Sequence, residues 1–288
     1  MCYDCEKVEI VCPDGFVISG VFYRAGLGDL MGVIAPATGM AQRYYKKFAL
    51  YLQRHGISSI TFDYRCMGES RRGPLNRSNA TFLTWALSDL DSVIHWAIRR
   101  AQVFVVGHSF GGQAFGLLEN SNKTLGLYAF GSGSGWYGFM PKKEQIKMHF
   151  FWSLFGPIST AIYGYLPLSL LKMGDDLPIG VYRQWKMWCS KRKYWFDDDA
   201  FNFKSNFERV TVPIRVVNSE DDLWCSQDAV AEFVAFYKNA DVSTCTVGGG
   251  VIDGKLIRIG HADYFMPKSE DILWRDILEW VESNRNRK

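Results

Sequence analysis

A short apolar run that ends at a glycine-flanked serine restricts this chain to few folds. Residues 103–106 are all apolar, which is typical of a strand buried on both faces of a parallel sheet. They lead into Gly107-His108-Ser109-Phe110-Gly111, and helical spacing follows at 113–119. A strand, a tight turn and a helix in this order place the serine at the carboxyl end of the sheet, where open α/β folds bind ligands. The pattern therefore predicts an exposed, nucleophilic serine on an α/β scaffold.

Strand and helix patterns alternate along most of the chain. The runs that predict strands are 8–11, 16–23, 31–35, 57–62, 103–106, 125–130, 212–217 and 242–247. The runs with amphipathic helical spacing are 42–55, 81–99, 113–119 and 269–282. This alternation predicts an α/β fold with a doubly wound, mostly parallel sheet and an antiparallel leading hairpin. The 288 residues suffice for one such domain.

Residues 133–205 break the alternation. The segment holds five of the ten tryptophans and reads as an aromatic-rich helical cap or lid inserted over the sheet. We therefore expect 1–132 and 206–288 to form the core and 133–205 to form the cap.

One stretch of the insertion requires a membrane test. Residues 150–171 contain no charged side chain over 22 positions, a length that could span a bilayer. Gly156, Pro157, Gly164 and Pro167 should interrupt a helix there. We expect a buried or lid-like helical pair and no stable span, with shallow contact with a membrane surface left open.

A serine hydroxyl needs a base before it can attack a substrate. Of the five histidines, His261 follows a strand-like run at 256–259 and precedes the last helix. That is the position of the base when the chain order is Ser, acid, His. The bland alternative is a loop histidine that caps the helix. We expect His261 to serve Ser109.

The acid should follow a late strand. After residues 213–217 the chain reads Asn-Ser-Glu-Asp-Asp, a run of acids that would more often be a solvated loop. Its position between Ser109 and His261 favours a catalytic acid, which would hold the imidazole in the correct tautomer. Asp222 is the first choice and Asp221 the second.

An oxyanion formed on the substrate needs preorganised N–H donors. The backbone N–H of Phe110, directly after the serine, is one expected donor. The other should come from the loop at 36–40, after the strand at 31–35. Met40 is the first expectation there and Gly39 the second.

Charge and cysteine usage narrow the partners. The net charge is +3 and the basic residues are scattered, so no nucleic-acid footprint is expected. The seven cysteines do not form a dense disulfide framework, which favours reduced thiols in the cytoplasm. Cys2 and Cys5 form a C-x-x-C and Cys12 follows, but a structural zinc site needs four ligands and no fourth is nearby, so neither a metal nor another cofactor is expected.

At this point the chain resembles the serine α/β-hydrolase superfamily, especially a bacterial branch of the group that includes serine aminopeptidases and monoacylglycerol lipases. The matching pieces are residues 107–112, the run at 61–70, the loop at 219–222 and Gly260-His261. The chain departs from the usual motifs at Cys66, at Ala37-Thr38-Gly39 and at Ser219. The acid motif G-x-x-D, with Ser219 in place of Gly, is why Asp222 ranks above Asp221.

The resemblance implies an α/β-hydrolase fold, a triad and a cap above the nucleophile. From the aromatic residues of the cap we expect Trp136, Tyr137 and Trp152 to bind a small, moderately apolar acyl substrate. The expected reaction is cleavage of a carboxylic ester, thioester or amide through an acyl-enzyme on Ser109. The alternatives are acyl transfer, perhydrolase or lyase activity with the same triad, and a non-catalytic ligand-binding protein.

Overall fold

A computed structural model describes residues 4–26, 28–249, 251–252, 255–256 and 258–285. Its main sheet has eight strands in the spatial order 1-2-4-3-5-6-7-8. The strands are β1 (Cys5–Val11), β2 (Val17–Tyr23), β3 (Leu30–Ala35), β4 (Ser58–Phe62), β5 (Gln102–His108), β6 (Leu127–Phe130), β7 (Ile214–Ser219) and β8 (Val242–Val247). The β1–β2 and β2–β4 pairs are antiparallel and the other pairs are parallel. The predicted fold class is therefore confirmed.

The helices lie between the strands. They are α1 (Lys46–Arg54), α2 (Phe82–Thr84), α3 (Asp91–Ile98), α4 (Phe110–Gln113), α5 (Lys142–Phe150), α6 (Gly156–Tyr163), α7 (Ile179–Cys189), α8 (Phe203–Glu208), α9 (Gln227–Val234) and α10 (Arg275–Arg285). A π-helical stretch, Trp85–Leu90, joins α2 to α3. The helix after the serine begins at Phe110, three residues earlier than its apolar spacing predicted.

Two apolar layers hold the sheet. β3 is a continuous apolar run that is buried along its whole length, as expected of a central strand in a parallel sheet, and the neighbouring β4 is also buried throughout although three of its five residues are Ser or Thr. On one face, Trp85 and Trp188 are fully buried, and on the other Phe48 and Trp274 are. Each such ring contributes on the order of 2–3 kcal/mol of apolar burial. The carboxyl ends of the parallel strands are thereby held in fixed positions.

Pro213 makes β7 begin later than the sequence predicted. The run at 212–217 predicted a strand from 212, but β7 begins at Ile214 because Pro213 has no N–H to donate to a neighbouring strand. The carbonyl of Pro213 still accepts the N–H of Leu127 on β6 at 3.0 Å. The strand-like run predicted at 256–259 includes residue 257, which lies outside the described residues.

Within the segment between β6 and β7, residues 142–163 form one long helix where a helical pair was expected. α5 continues through the π-helical stretch Phe151–Phe155 into α6, and Gly156 and Pro157 do not interrupt it. The expected break is wrong because the wide π turn lies directly before Pro157 and relaxes the hydrogen-bond ladder that a proline would break. Tyr165–Leu166 then pairs with Leu177–Pro178. Within the described ranges, no helix has the length and hydropathy needed to cross a membrane.

Candidate active site

Ser109 occupies a strained turn between β5 and α4. Its φ of 49° and ψ of −115° lie in a region that side-chain-bearing residues rarely adopt. The flanking glycines make the turn feasible. A Cβ on Gly107 would lie 2.4 Å from Cα of Gly112, and one on Gly111 would lie 2.1 Å from the carbonyl oxygen of Ala35. The glycines of the motif are therefore required because a larger residue at either position would collide with the backbone that holds Ser109 above the sheet.

The structure brings Ser109, His261 and Asp222 into one hydrogen-bonded chain. Nε2 of His261 lies 3.0 Å from Oγ of Ser109. Nδ1 of the same ring lies 2.9 Å from Oδ2 and 3.0 Å from Oδ1 of Asp222. Trp224 stacks beside the imidazole, with ring centroids 5.8 Å apart. The serine, the acid and the histidine come from separate loops, as their spacing along the chain requires.

Asp222 is buried and accepts hydrogen bonds from three further groups. The hydroxyl of Tyr264 donates to Oδ2 at 2.7 Å, and the N–H groups of Trp224 and Cys225 donate to Oδ1 at 2.9 Å each. Burial raises the pKa of Asp222, but the charge and hydrogen bond of His261 and the bonds from Tyr264 and Trp224 outweigh it, so the pKa lies below its ordinary value. The carboxylate is therefore ionised and faces the imidazole.

Asp221 has a different place. Its carboxylate accepts the N–H of Gly260 at 2.8 Å and that of Ile259 at 3.1 Å, and it also accepts the hydroxyl of Ser219. None of these bonds involves the His261 ring. Asp221 thus fixes the loop that carries His261, and the geometry favours Asp222 over its neighbour as the partner of the imidazole.

His108 connects the serine turn to two other loops. The N–H of Ala37 donates to the hydroxyl oxygen of Tyr45 at 2.8 Å, and that hydroxyl is 2.9 Å from Nδ1 of His108. Nε2 of His108 lies 2.8 Å from the carbonyl oxygen of His261. A carbonyl can only accept, so Nε2 carries the proton and Nδ1 accepts from Tyr45. One chain of buried hydrogen bonds therefore joins the loop at 36–40, the nucleophile turn and the His261 loop.

The burial of His108 should make folding stability depend on pH. Burial, and then the charge of His261, lower its pKa from 6.5 to about 3. Between those pH values the unfolded chain binds a proton that the folded chain does not, so stability falls as the pH is lowered. We expect His108→Asn to reduce the slope of unfolding free energy against pH by up to about 1.4 kcal/mol per pH unit. Urea unfolding at several pH values measures this slope. The exposed His95 supplies the control His95→Asn, and equal slopes for wild type and His108→Asn would contradict the expectation.

The loop at 36–40 differs from the sequence expectation. The N–H of Met40 donates to the carbonyl oxygen of Ala37 at 3.1 Å, so it closes a turn and is not free for an oxyanion. Gly39 has a φ of +77°, and its carbonyl accepts the N–H of Asp175 at 2.8 Å. Thr38 lies beside Ser109 in the wall of the same cavity, whereas Gly39 does not line that cavity. The structure thus gives the N–H of Met40 another acceptor and adds Thr38 as a candidate donor, which the sequence pattern did not single out because only glycine and the end of the loop stood out in it.

A cavity of about 300 Å³ opens above Ser109 and His261. Within the described residues, no Asp, Glu, Lys or Arg side chain lines it. Its aromatic and thioether wall consists of Met40, Tyr137, Met140, Met148, Trp152, Met173, Trp185, Tyr194 and Trp224. Of the expected substrate-binding residues, Tyr137 and Trp152 are in this wall.

Trp136 is not part of the cavity wall. Its ring packs edge-on against Phe139 at 5.0 Å, and the guanidinium of Arg192 lies 5.6 Å from its centroid. The structure therefore does not place Trp136 against the cavity above Ser109, whereas its neighbour Tyr137, in the short helical turn Tyr137–Phe139, lines that cavity. The sequence pattern missed Trp185 and Trp224 because tryptophan spacing carries no signal for which rings face a cavity.

Comparison with known proteins settles the family. The sequence model of the Alpha/beta hydrolase family matches residues 33–262, which includes Ser109, Asp222 and His261. The chain belongs to that family. No curated protein matches the sequence. The sheet order, the serine turn and the position of the histidine thus agree with the family assignment made from the motifs.

Solved α/β-hydrolase structures share the fold over nearly the whole chain. A soluble variant of monoglyceride lipase from Saccharomyces cerevisiae aligns with a TM-score of 0.67 at 14% identity, covering 99% of this chain and 95% of that one. The esterase PF2001 of Pyrococcus furiosus gives 0.65 at 15%, covering 98% and 91%. A thermophilic esterase from Thermogutta terrifontis gives 0.60 at 16%, covering 97% and 99%. At these identities the likeness is one of fold.

Proposed function

We propose that this α/β hydrolase cleaves a carboxylic ester, or a related thioester or amide, through an acyl-enzyme on Ser109. The observation that carries the proposal is the chain of contacts from Oγ of Ser109 to Nε2 of His261 and from Nδ1 to the buried carboxylate of Asp222. His261 removes the hydroxyl proton as Oγ attacks the acyl carbon, and it then protonates the leaving group. Water attacks the acyl-enzyme with the same base, which regenerates Ser109.

The oxyanion is expected to bind between two backbone N–H groups. Phe110 is the first residue of α4, so its N–H has no acceptor within the helix and points to the helix start beside Ser109. We propose Thr38 as the second donor because it lines the cavity and the N–H of Met40 is used in a turn. The bond from Ala37 N–H to Tyr45 would hold this loop in place.

The proposed substrate is uncharged near the scissile bond and apolar in its acyl part. Among the described residues, the cavity wall offers no charged partner other than the titratable His261, and its apolar side chains exclude water. The helix α5 supplies Met148 to this wall, and Trp152 follows on the same helix. We therefore propose that residues 133–205 act as a cap that shapes the acyl site. We also propose a cytoplasmic location, because the seven cysteines do not form the dense framework of a disulfide-stabilised secreted protein.

A series of p-nitrophenyl esters from two to twelve carbons should show the length of the acyl site. We expect kcat/KM to rise about fourfold per added CH₂ over several carbons, since each buried CH₂ contributes roughly 0.8 kcal/mol, and then to fall. Met148→Trp should shift the optimum to shorter chains, because Met148 is in the cavity wall. Met187→Trp, at a half-exposed site outside that wall, is the matched control. A flat series, or equal shifts in both variants, would contradict the proposed acyl site.

The alternative activities are separated by rapid kinetics and product analysis. A hydrolase should release a burst of p-nitrophenol equal to the amount of enzyme, followed by slower turnover. A non-catalytic ligand-binding protein would show neither. Added alcohol or peroxide would divert the acyl group in a transferase or perhydrolase, whereas a hydrolase would continue to form mainly the free acid.

A further inference from the structure

The outer face of the long helix of the cap carries a row of large apolar side chains. Ile146, Phe150, Leu154, Ile158 and Ile162 are exposed by 71%, 58%, 46%, 51% and 70%. We call these five residues the outer stripe. Scattered exposed apolar side chains are common, but a continuous row along one helix marks an interaction surface.

The π turn keeps the outer stripe on one face. An α-helix completes more than one turn in four residues, so a spacing of four drifts around its axis. The π-helical stretch Phe151–Phe155 lies in the middle of the row, and its wider turn rotates the chain the other way. The row therefore runs along the helix for about 24 Å at 1.5 Å per residue.

The opposite face of the same helix reaches the candidate active site. Met148 and Trp152 are buried and line the cavity above Ser109. The turn that follows repeats this arrangement: Leu168 and Met173 line the cavity, while Leu170 is 63% exposed. The long helix and the turn after it thus form a thin layer, with the outer stripe on its exposed side and the cavity on its inner side.

The segment that carries the outer stripe has a positive net charge, and on the helix itself the one acidic residue, Glu144, pairs with Lys147 at 2.6 Å and leaves Lys142 and Lys143 uncompensated there. Residues 133–205 carry ten Lys and Arg against six Asp and Glu, whereas the whole chain has a net charge of only +3. Lys142 and Lys143 are exposed at the start of the helix, and Lys172 is exposed after Leu171. A groove between this helix and α7 is lined by His149, Arg183 and Lys186 and by no acidic side chain of the described residues.

We propose that the outer stripe docks on the surface of an anionic lipid bilayer. A helix with an apolar face and flanking basic residues lies in the plane of such a surface, with its apolar side chains below the headgroups and its cations among the phosphates. A second copy of the chain fits less well, because pairing two stripes would bring the same basic residues of both copies together. Docking would place the thin layer over the cavity at the lipid surface. That an apolar substrate would enter the cavity from the bilayer rests on the proposed function, whereas docking itself does not.

Vesicle flotation tests the docking with catalysis removed. Ser109→Ala protein is mixed with vesicles of phosphatidylcholine and phosphatidylglycerol, and separately with pure phosphatidylcholine. The stripe variant adds Ile146→Gln, Phe150→Gln and Ile162→Gln. The matched control adds Val11→Gln and Leu87→Gln, which are 68% and 50% exposed elsewhere on the chain. Because every flotation uses the Ser109→Ala background, the vesicle binding that it measures does not depend on ester hydrolysis.

We expect the parent and the control to bind the anionic vesicles, and the stripe variant to bind at least about tenfold more weakly. Binding should also weaken as salt is raised, and Lys142→Gln with Lys143→Gln should weaken it further. Hydrolysis of a soluble p-nitrophenyl ester by the stripe variant with Ser109 restored should stay within about twofold of wild type, which shows that it folds.

Three results would overturn the proposal. One is the absence of vesicle binding by the parent, or equal binding by the stripe variant. Another is equal binding of the parent to pure phosphatidylcholine vesicles and to anionic vesicles, which would show that anionic lipid is not needed. The third is a concentration-dependent dimer in light scattering that the stripe substitutions abolish, because the occupant would then be a second copy. If the Ser109→Ala parent binds the vesicles as expected but the wild-type protein hydrolyses no ester, the result would count against the proposed function alone.

Discussion

Replacing Ser109 with Ala is expected to lower kcat on a chromogenic ester by about 10⁶. The residue supplies the atom that forms the acyl-enzyme, and its Oγ is 3.0 Å from the base. His261→Ala should be similarly severe, since an un-ionised hydroxyl is then left without a proton acceptor. The double variant should be little worse than either single one, because the two residues act as a unit.

A second serine of the same cavity provides the control for these variants. Ser134 is buried and lines the cavity, but its hydroxyl donates to the carbonyl of Arg192 and not to His261. Ser134→Ala should keep kcat within about tenfold of wild type. Steady-state kinetics at known protein concentrations measures kcat for the wild type and all four variants. Residual turnover in Ser109→Ala well above that of the double variant would show that the two residues do not form one unit.

Asp222→Asn is expected to lower kcat by about 10⁴ while the fold is retained. The amide would have to offer its NH₂ or its oxygen to Nδ1 of His261, and the geometry that now fixes the proton on Nδ1 would be lost. The backbone N–H groups of Trp224 and Cys225, which donate to Oδ1 at 2.9 Å, would hold the amide oxygen at that position and place the NH₂ at the position of Oδ2, 2.9 Å from Nδ1. The imidazole would then be held in the tautomer that cannot accept the proton of Ser109.

Substitutions of the neighbouring acids Asp221 and Glu220 distinguish this effect from a general loss of negative charge. Asp221→Asn should reduce stability by about 1–3 kcal/mol, because two backbone N–H groups lose a charged acceptor, but kcat should fall by less than about tenfold. Glu220→Gln, at an exposed site, should change neither quantity. Kinetics and urea unfolding of the three variants decide the assignment. A larger kcat effect for Asp221→Asn than for Asp222→Asn would reverse the roles of these two carboxylates.

The fold and the positions of Ser109, Asp222 and His261 could be predicted from the sequence for physical reasons. A buried parallel strand must be apolar throughout, and a serine at φ 49° requires glycines where the backbone passes closely, so both leave clear patterns. The chain order of serine, acid and histidine then limits the choice of partners. Asp221 and Asp222 are chemically identical, however, so only the G-x-x-D spacing ranked Asp222 first, and it is the fold that shows its carboxylate 2.9 Å from the ring.

Other parts of the site depend on contacts that leave no local pattern. Whether the N–H of Met40 is free depends on a turn closed by Ala37, and the inward or outward direction of Trp136 depends on a short helical turn after it. The single helix through Pro157 could not be predicted because a proline normally ends a helix, and the π turn before it has no sequence signature. The bonds of His108 and Tyr264 likewise join residues that are far apart in the chain.

A fluorophosphonate probe followed by peptide mapping tests the central claim most directly. The reagent phosphonylates a serine only where a base and an oxyanion site act together, and the serine held 3.0 Å from Nε2 of His261 is Ser109. We expect one adduct per chain, on the peptide that contains Ser109, and no adduct in Ser109→Ala or His261→Ala. An adduct on another residue, or ester turnover by a protein whose Ser109 remains unlabelled, would contradict the account.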